Sequence, residues 1–236
     1  MGSHRMFRMN ESILGIYKRL YRAYGPRHWW PADGPFEMMV GAILTQNTAW
    51  RNVERAIKNL KAASVLHPEG LRSLLESDLA RLIYPSGYYN LKARRLKAFA
   101  RYVGDTYQDD LDVMASREVT VLRNELLTVN GIGEETADDM LLYALNKSVF
   151  VVDAFTKRLF SRLEIANALG GYREYQDLFE HSLTPSAALF GEYHALIVHH
   201  SKQVCRKTQP LCGSCPLLAI CPHGRRTVIS ETPGAV

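Results

Sequence analysis

Phe36, Met39, Val40, Ile43 and Leu44 recur at i, i+3, i+4, i+7 and i+8, a spacing that puts one apolar stripe on one side of a buried helix. Leu96, Phe99 and Val103 repeat the pattern on a helix beginning near Asn90, whose other face carries Lys92, Arg94, Arg95, Lys97 and Arg101. The same periodicity predicts helices over 10–24, 50–63, 117–128, 134–146, 154–164, 172–183 and 186–202. Turn signals separate them: GPRHWWPADGP (25–35), HPEG (67–70), YPSG (84–87), NGIG (130–133), LGG (169–171) and TPS (184–186). VFVVD (149–153) is the only strand-like run, too short and isolated to build a sheet. The chain shows no internal repeat. These patterns define an all-α protein.

Composition narrows the class without naming a function. The 236 residues are 47% hydrophobic, enough for a substantial core in one or two domains. MGSHR (1–5) reads as an expression-tag remnant and 227–236 as a tail. The longest apolar stretch, MMVGAILT (38–45), is too short to cross a membrane, and no signal peptide precedes it, so a soluble cytoplasmic protein is expected. Net charge +5 favours a polyanionic partner, although charge speaks to association and not to fold.

All four cysteines lie close together, as Cys205, Cys212, Cys215 and Cys221 with the spacing C-x6-C-x2-C-x5-C. Reduced thiols are expected in such a protein, which argues against two disulfides in one short loop and for a metal. Structural zinc usually takes two short knuckles across a longer spacer. Four thiolates in one compact run suit an iron–sulfur cluster better, with zinc as the lesser alternative. Arg206, Lys207, Arg225 and Arg226 form either a basic rim beside the metal or a solvated charged tail.

A second motif is TVNGIGEETAD (128–138). Helix, Gly131-Ile132-Gly133 turn and helix make a helix-hairpin-helix, in which the glycines let backbone N–H groups point outward and the helix from Glu134 adds its positive end, an anion nest for a DNA phosphate. The plainer reading is an interhelical turn with Glu134 and Glu135 stabilising the first helical turn. Asp153 closes VFVVD and opens the next helix, where it serves as N-cap, as an ionised carboxylate facing a groove, or as both.

Hairpin, aspartate and cysteine run, in this order, resemble the endonuclease III branch of the helix-hairpin-helix (HhH-GPD) DNA glycosylases over residues 10–225. The resemblance implies two helical domains: a six-helix barrel with the hairpin, here 28–147, and a cluster domain from 6–27 and 148–226. Between them would lie a cleft for double-stranded DNA whose damaged nucleotide is flipped out. It further implies a [4Fe-4S] cluster on Cys205, Cys212, Cys215 and Cys221, a monomer, and catalysis by Asp153. Asn130, Gly131, Ile132, Gly133 and Thr136 would contact DNA. Gln46 of LTQNT would fill the gap left in the duplex, although a buried amide bonded to backbone would also explain it. Tyr88 of SGYYNLKA would wedge into the opposite strand. Members that also cut the strand carry a lysine where this chain has Glu135. A carboxylate cannot form a Schiff base, so the resemblance implies base removal by water alone. Lys147 and Lys202 are the amines that could stand in.

The tryptophans refine the substrate. Trp29, Trp30 and Pro31 precede the helix that supplies Gln46, and Trp50 follows it. Indole faces stack on bases and attract cations, which suits an alkylated purine of the 3-methyladenine kind; core packing is the other explanation. The set WWP, LTQNT, PSGYYN, GIGxExAD and VVD is similar to the endonuclease III-type 3-methyladenine DNA glycosylases, which implies a pocket of Trp29, Trp30, Pro31, Trp50 and Lys202. Cluster-free members of that subgroup have a modified lysine where this chain has Leu196. Adenine glycosylases have a glutamate where it has Ala42. Uracil or thymine mismatch glycosylases and a non-catalytic DNA-binding module remain as alternatives.

Overall fold

The computed structural model describes residues 3–231. Every regular element among them is helical, and none is long and apolar enough to cross a membrane. The chain divides into two compact units, one spanning Trp30–Lys147 and the other joining the residues up to Trp29 to those from Ser148 on.

Helix α1 (Ser3–Tyr24) belongs to the second of these units. The Trp30–Lys147 unit follows with α2 (Pro35–Thr45), α3 (Trp50–Ala62), α4 (Pro68–Ser73), α5 (Glu76–Leu82), α6 (Tyr89–Tyr107), α7 (Leu111–Ser116), α8 (Val119–Thr128) and α9 (Glu134–Asp139). Residues 140–144 continue α9 in wider π-type turns. The stripe on α2 is fully inside: Met39, Val40, Ile43 and Leu44 have no exposed surface, and Phe36 stacks on Phe99 of α6 at 6.1 Å. The unit has more helical pieces than the six expected, because HPEG starts a short helix instead of a plain turn, and so does the stretch after Tyr107, to which the sequence assigned no element. His67 Nδ1 accepts from the Gly70 N–H to open α4, and Asp110 accepts from the Asp112 and Val113 N–H groups to open α7. Six or seven residues are too few to show a helical period.

The basic face expected on α6 is only partly a face. Arg94 and Arg101 are exposed, but Lys92 is 1% exposed and Lys97 is 9% exposed. The Lys92 ammonium donates to the carbonyls of Leu44, 2.9 Å away near the end of α2, and Ser86, 2.7 Å away. That of Lys97 donates to Arg72 O at 2.8 Å and to Leu74 O, where α4 ends. Carbonyls at a helix C-terminus have no intrahelical partner and carry partial negative charge, so each buried lysine collects the loose ends of another helix. Burial, with Arg95 nearby, pushes Lys92 down to about 8.

The other unit holds α10 (Ala154–Arg162), α11 (Tyr172–Ser182), α12 (Ala187–Gln203) and α13 (Pro222–Glu231) beside α1. Aromatic rings fill its core: Phe150 stacks on Phe179 at 3.7 Å, and Phe160, Phe190 and Tyr193 meet this pair edge-on. Tyr193 OH donates to Ile13 O at 2.8 Å and so fastens α12 to α1. VFVVD is extended yet unpaired with any strand. Its Phe150 N–H donates to Glu180 Oε1 at 2.9 Å and its Phe150 carbonyl accepts from Gln176 Nε2 at 2.8 Å, so side chains of α11 satisfy backbone that a sheet would otherwise satisfy. The expected tail is partly helix, since α13 runs to Glu231; residues 232–236 lie outside the described ones.

Candidate functional site

The hairpin between α8 and α9 is closed by the Ile132 N–H donating to Val129 O at 3.0 Å. Gly131 has φ +89, a conformation L-residues avoid, and a Cβ there would run into the side-chain stem of Arg95. Gly133 differs from the expectation that both glycines supply unusual angles: at φ −99 and ψ −179 it is ordinary extended backbone, and a Cβ would meet nothing. Asn130 and Gly133 are exposed, whereas Ile132 and Thr136 are buried. Arg123 of α8 grips Asp138 of α9 through Nε at 2.7 Å and Nη2 at 3.0 Å, with Asp138 wholly inside.

Gln46, just past α2, is braced on this hairpin. Its Nε2 donates to Gly131 O at 3.1 Å and Thr136 Oγ1 at 2.9 Å, while its Oε1 accepts from Arg95 Nη1. The half-buried amide therefore has its orientation fixed by hairpin backbone on one side and by a guanidinium on the other. Tyr88 is 69% exposed, with φ +45, directly after Gly87 at φ +66. A bulky residue in the left-handed region is uncommon and stores backbone strain, here to hold a phenol ring out in solvent. Glu135 sits exposed in the first turn of α9.

Asp153 caps α10: its Oδ1 accepts the Thr156 N–H at 2.7 Å. Its Oδ2 faces Nε2 of His194 from α12 at 3.6 Å, a separation for charge attraction and not for a hydrogen bond. Both are buried, Asp153 at 8% exposure and His194 at 5%. Burial works to raise the carboxyl pKa; His194 and the Thr156 N–H outweigh it and hold the pKa below the ordinary value. The group is thus a carboxylate despite its depth.

A cavity of about 310 Å³ opens among Trp30, Pro31, Glu37, Gly41, Trp50 and Glu54. Trp30 and Trp50 cross edge to face at 5.1 Å, and Trp30 lies against the bare backbone of Gly41, whose Cβ would stand 3.4 Å from the indole nitrogen. Glu54 accepts the Trp50 indole N–H at 2.9 Å, and Lys61 pairs with Asp33 at 2.6 Å and Glu37 at 2.7 Å. Of the five residues expected here, Trp30, Pro31 and Trp50 line this cavity. Trp29 and Lys202 do not; they belong to the other unit, where the exposed Lys202 lies over the Phe155 ring at 5.6 Å.

The four cysteines are unbridged and line one small cavity of about 20 Å³ with Leu159, Arg162, His200 and Leu217. Arg162 Nη1 donates to Cys205 Sγ at 3.2 Å, the Leu217 N–H to Cys215 Sγ at 3.4 Å and the Gly224 N–H to Cys221 Sγ at 3.3 Å. Burial and the three other sulfurs push the Cys215 thiol up to about 11. Four soft donors crowded this way become thiolates only around strong positive charge, and the N–H donors aimed at sulfur fit that state. No group of three or more His, Cys, Asp or Glu side chains among the described residues is gathered tightly enough to hold a single metal ion.

Residues 40–185, more than half of the chain, match the family model described as HhH-GPD superfamily base excision DNA repair protein. The chain belongs to the HhH-GPD superfamily. It is accordingly a DNA N-glycosylase of base excision repair. A protein of Methanocaldococcus jannaschii named as a DNA repair glycosylase is 47% identical over 212 residues, 89% of this chain and 96% of the relative. The structure of a Helicobacter pylori 3-methyladenine DNA glycosylase bound to 1,N6-ethenoadenine is 30% identical, with a TM-score of 0.69 over 82% of this chain and 97% of that one. An endonuclease III–DNA complex, 19% identical, shares the fold with a TM-score of 0.81 over 93% of this chain and 98% of that one.

Within this HhH-GPD chain the expected residues fall into separate groups: Gln46 with the hairpin, three aromatic-region residues around the cavity, Asp153 at a helix start, and four thiols. Sequence reasoning took Lys92 and Arg95 for a basic face and did not single out Glu54 or tie His194 to Asp153. For Glu54 a signal existed, since Trp50 and Glu54 stand at i and i+4 on α3.

Proposed function

We propose that the protein is a monofunctional DNA glycosylase that flips alkylated purines out of duplex DNA and hydrolyses their N-glycosidic bond with Asp153 and water. The observation that carries this reading is the crossed-indole cavity of about 310 Å³, at the small end of the range for ligand pockets and suited to one nucleobase. Its indole faces favour a flat, electron-poor ring, and Glu54 holds the Trp50 indole N–H and so orients that ring system. Such a base needs no general acid to leave. Asp153, kept ionised, stabilises the oxocarbenium-like sugar and orients water.

Glu135 stands where strand-cutting relatives carry the Schiff-base lysine, so the product is an intact abasic strand. Hairpin residues Asn130, Gly131 and Gly133 hold a phosphate, with the open space at Gly133 admitting it closely. Gln46 and Tyr88 enter the duplex at the vacated position. Cys205, Cys212, Cys215 and Cys221 hold a [4Fe-4S] cluster, which, when bound, supplies a rigid, positively compensated anchor for the 205–221 loop. The Helicobacter structure with an ethenoadenine supports the purine reading over a pyrimidine one.

The test is release of free base from duplexes carrying 3-methyladenine, 7-methylguanine, uracil or a thymine–guanine mismatch. Release of the alkylated purines, abolished in Asp153→Asn with duplex binding retained, is the expected result. Release confined to the pyrimidines overturns the substrate assignment, and no release at all leaves a DNA-binding module.

A further inference from the structure

We propose that His194 is the counter-ion of Asp153, a positioning residue that keeps the carboxylate charged while base release proceeds. The inference deepens the function proposed above and rests on Asp153 being the group that steadies the sugar.

Asp153 faces a conflict between depth and charge. At 8% exposure it has little water to solvate it, and a carboxylate buried without compensation takes up a proton. A protonated carboxyl neither stabilises a sugar cation nor draws a proton from water. The helix start supplies one part of the answer: the Thr156 N–H at 2.7 Å occupies Oδ1, and the α10 terminus lends its positive end. This contact fixes the side-chain rotamer and leaves Oδ2 facing His194.

His194 supplies the rest. Its Nε2 stands 3.6 Å from Oδ2, and its own side chain is 6% exposed, so the protonated imidazole attracts the carboxylate with little screening. Thr156 from α10 meets Oδ1 and His194 from α12 faces Oδ2. The imidazole is held in place by its helix: neighbouring Tyr193 is pinned through its hydroxyl to Ile13 O at 2.8 Å, and Leu196 and Ile197 have no exposed surface. At 3.6 Å the ring is near enough to balance charge but does not take up Oδ2 in a hydrogen bond.

The experiment is a single-turnover pH profile of base release from a duplex containing one alkylated purine, using the full chain with its cluster. His194→Gln, which cannot carry charge, is compared with wild type and with His194→Lys, which can. Loss of the counter-ion lets burial dominate, so the acid limb of the glutamine variant moves to higher pH by about one unit or more. Its rate then falls roughly tenfold at the foot of that limb and returns toward wild type on the alkaline plateau. Duplex affinity is unchanged, and the lysine variant keeps the wild-type limb. A rate loss equal at every pH, or no loss, overturns the proposal. Titration of the Asp153 carboxyl by 13C NMR reads the same shift without activity, and an unmoved titration in His194→Gln also overturns it. Full base release by Asp153→Asn would instead remove the catalytic reading beneath it, a distinct failure.

Discussion

Lys92 offers the sharpest quantitative test of the fold. Its ammonium is 1% exposed and donates to two carbonyls, and its pKa is pushed down to about 8. In the unfolded chain the same group titrates near its ordinary 10.5. Below about 8 it is charged in both states, and the folded protein bears the cost of burying that charge. As pH rises from 8 toward 10.5 the unfolded chain holds the proton that the folded one has released, so stability rises with pH. The gap of roughly 2.5 units corresponds to about 3 kcal/mol at most. Lys92→Met removes this titration while keeping an unbranched chain of similar length. Urea unfolding of both proteins from pH 7 to 10 cancels all other titrating groups in the difference. Wild type should gain about 2–3 kcal/mol on the variant across that window, because its unfolded chain holds the proton that its folded chain has released while methionine titrates in neither state. A difference that is flat with pH, or that shrinks, refutes the buried, depressed lysine.

Gly131→Ala forces a Cβ into the left-handed region and against Arg95, and should cost roughly 1–3 kcal/mol in thermal unfolding while weakening duplex binding through the displaced Gln46. Arg123→Met leaves the Asp138 carboxylate buried without its guanidinium, at a cost of about 3–5 kcal/mol by chemical denaturation. Cys212→Ser should strip the visible absorbance of the purified protein and its bound iron together; retained iron and colour would remove Cys212 from the ligand set.

The long helices were legible because their buried stripes repeat over several turns, as in α2 and α6. The short ones were not: α4 and α7 are six residues each, too short for a period, and the cap of α4 sits in a segment that read as a turn. VFVVD read as strand-like from its branched residues, yet Gln176 and Glu180 of α11 satisfy its backbone, a tertiary choice that local pattern does not encode. Lys92 and Lys97 defeated the pattern for a similar reason. A lysine reads as solvated, and the carbonyls that bring these two inside belong to helices 48 and 26 residues distant along the chain. Asp153 was legible as an N-cap from AFTKRLF alone, whereas its partner His194 lies on another helix with no motif joining them. Gln46 was visible as a motif residue. Its bracing by Arg95 and the hairpin depends on a fold that brings three segments together.

The most direct test is product analysis on a duplex containing a single 3-methyladenine, incubated with excess protein and split between borohydride trapping and denaturing electrophoresis. The account predicts free purine, an abasic strand of full length, and no covalent adduct, because Asp153 with water does the work and Glu135 supplies no amine. A borohydride-trapped adduct with a cleaved strand, or a purine left on its sugar, would contradict it.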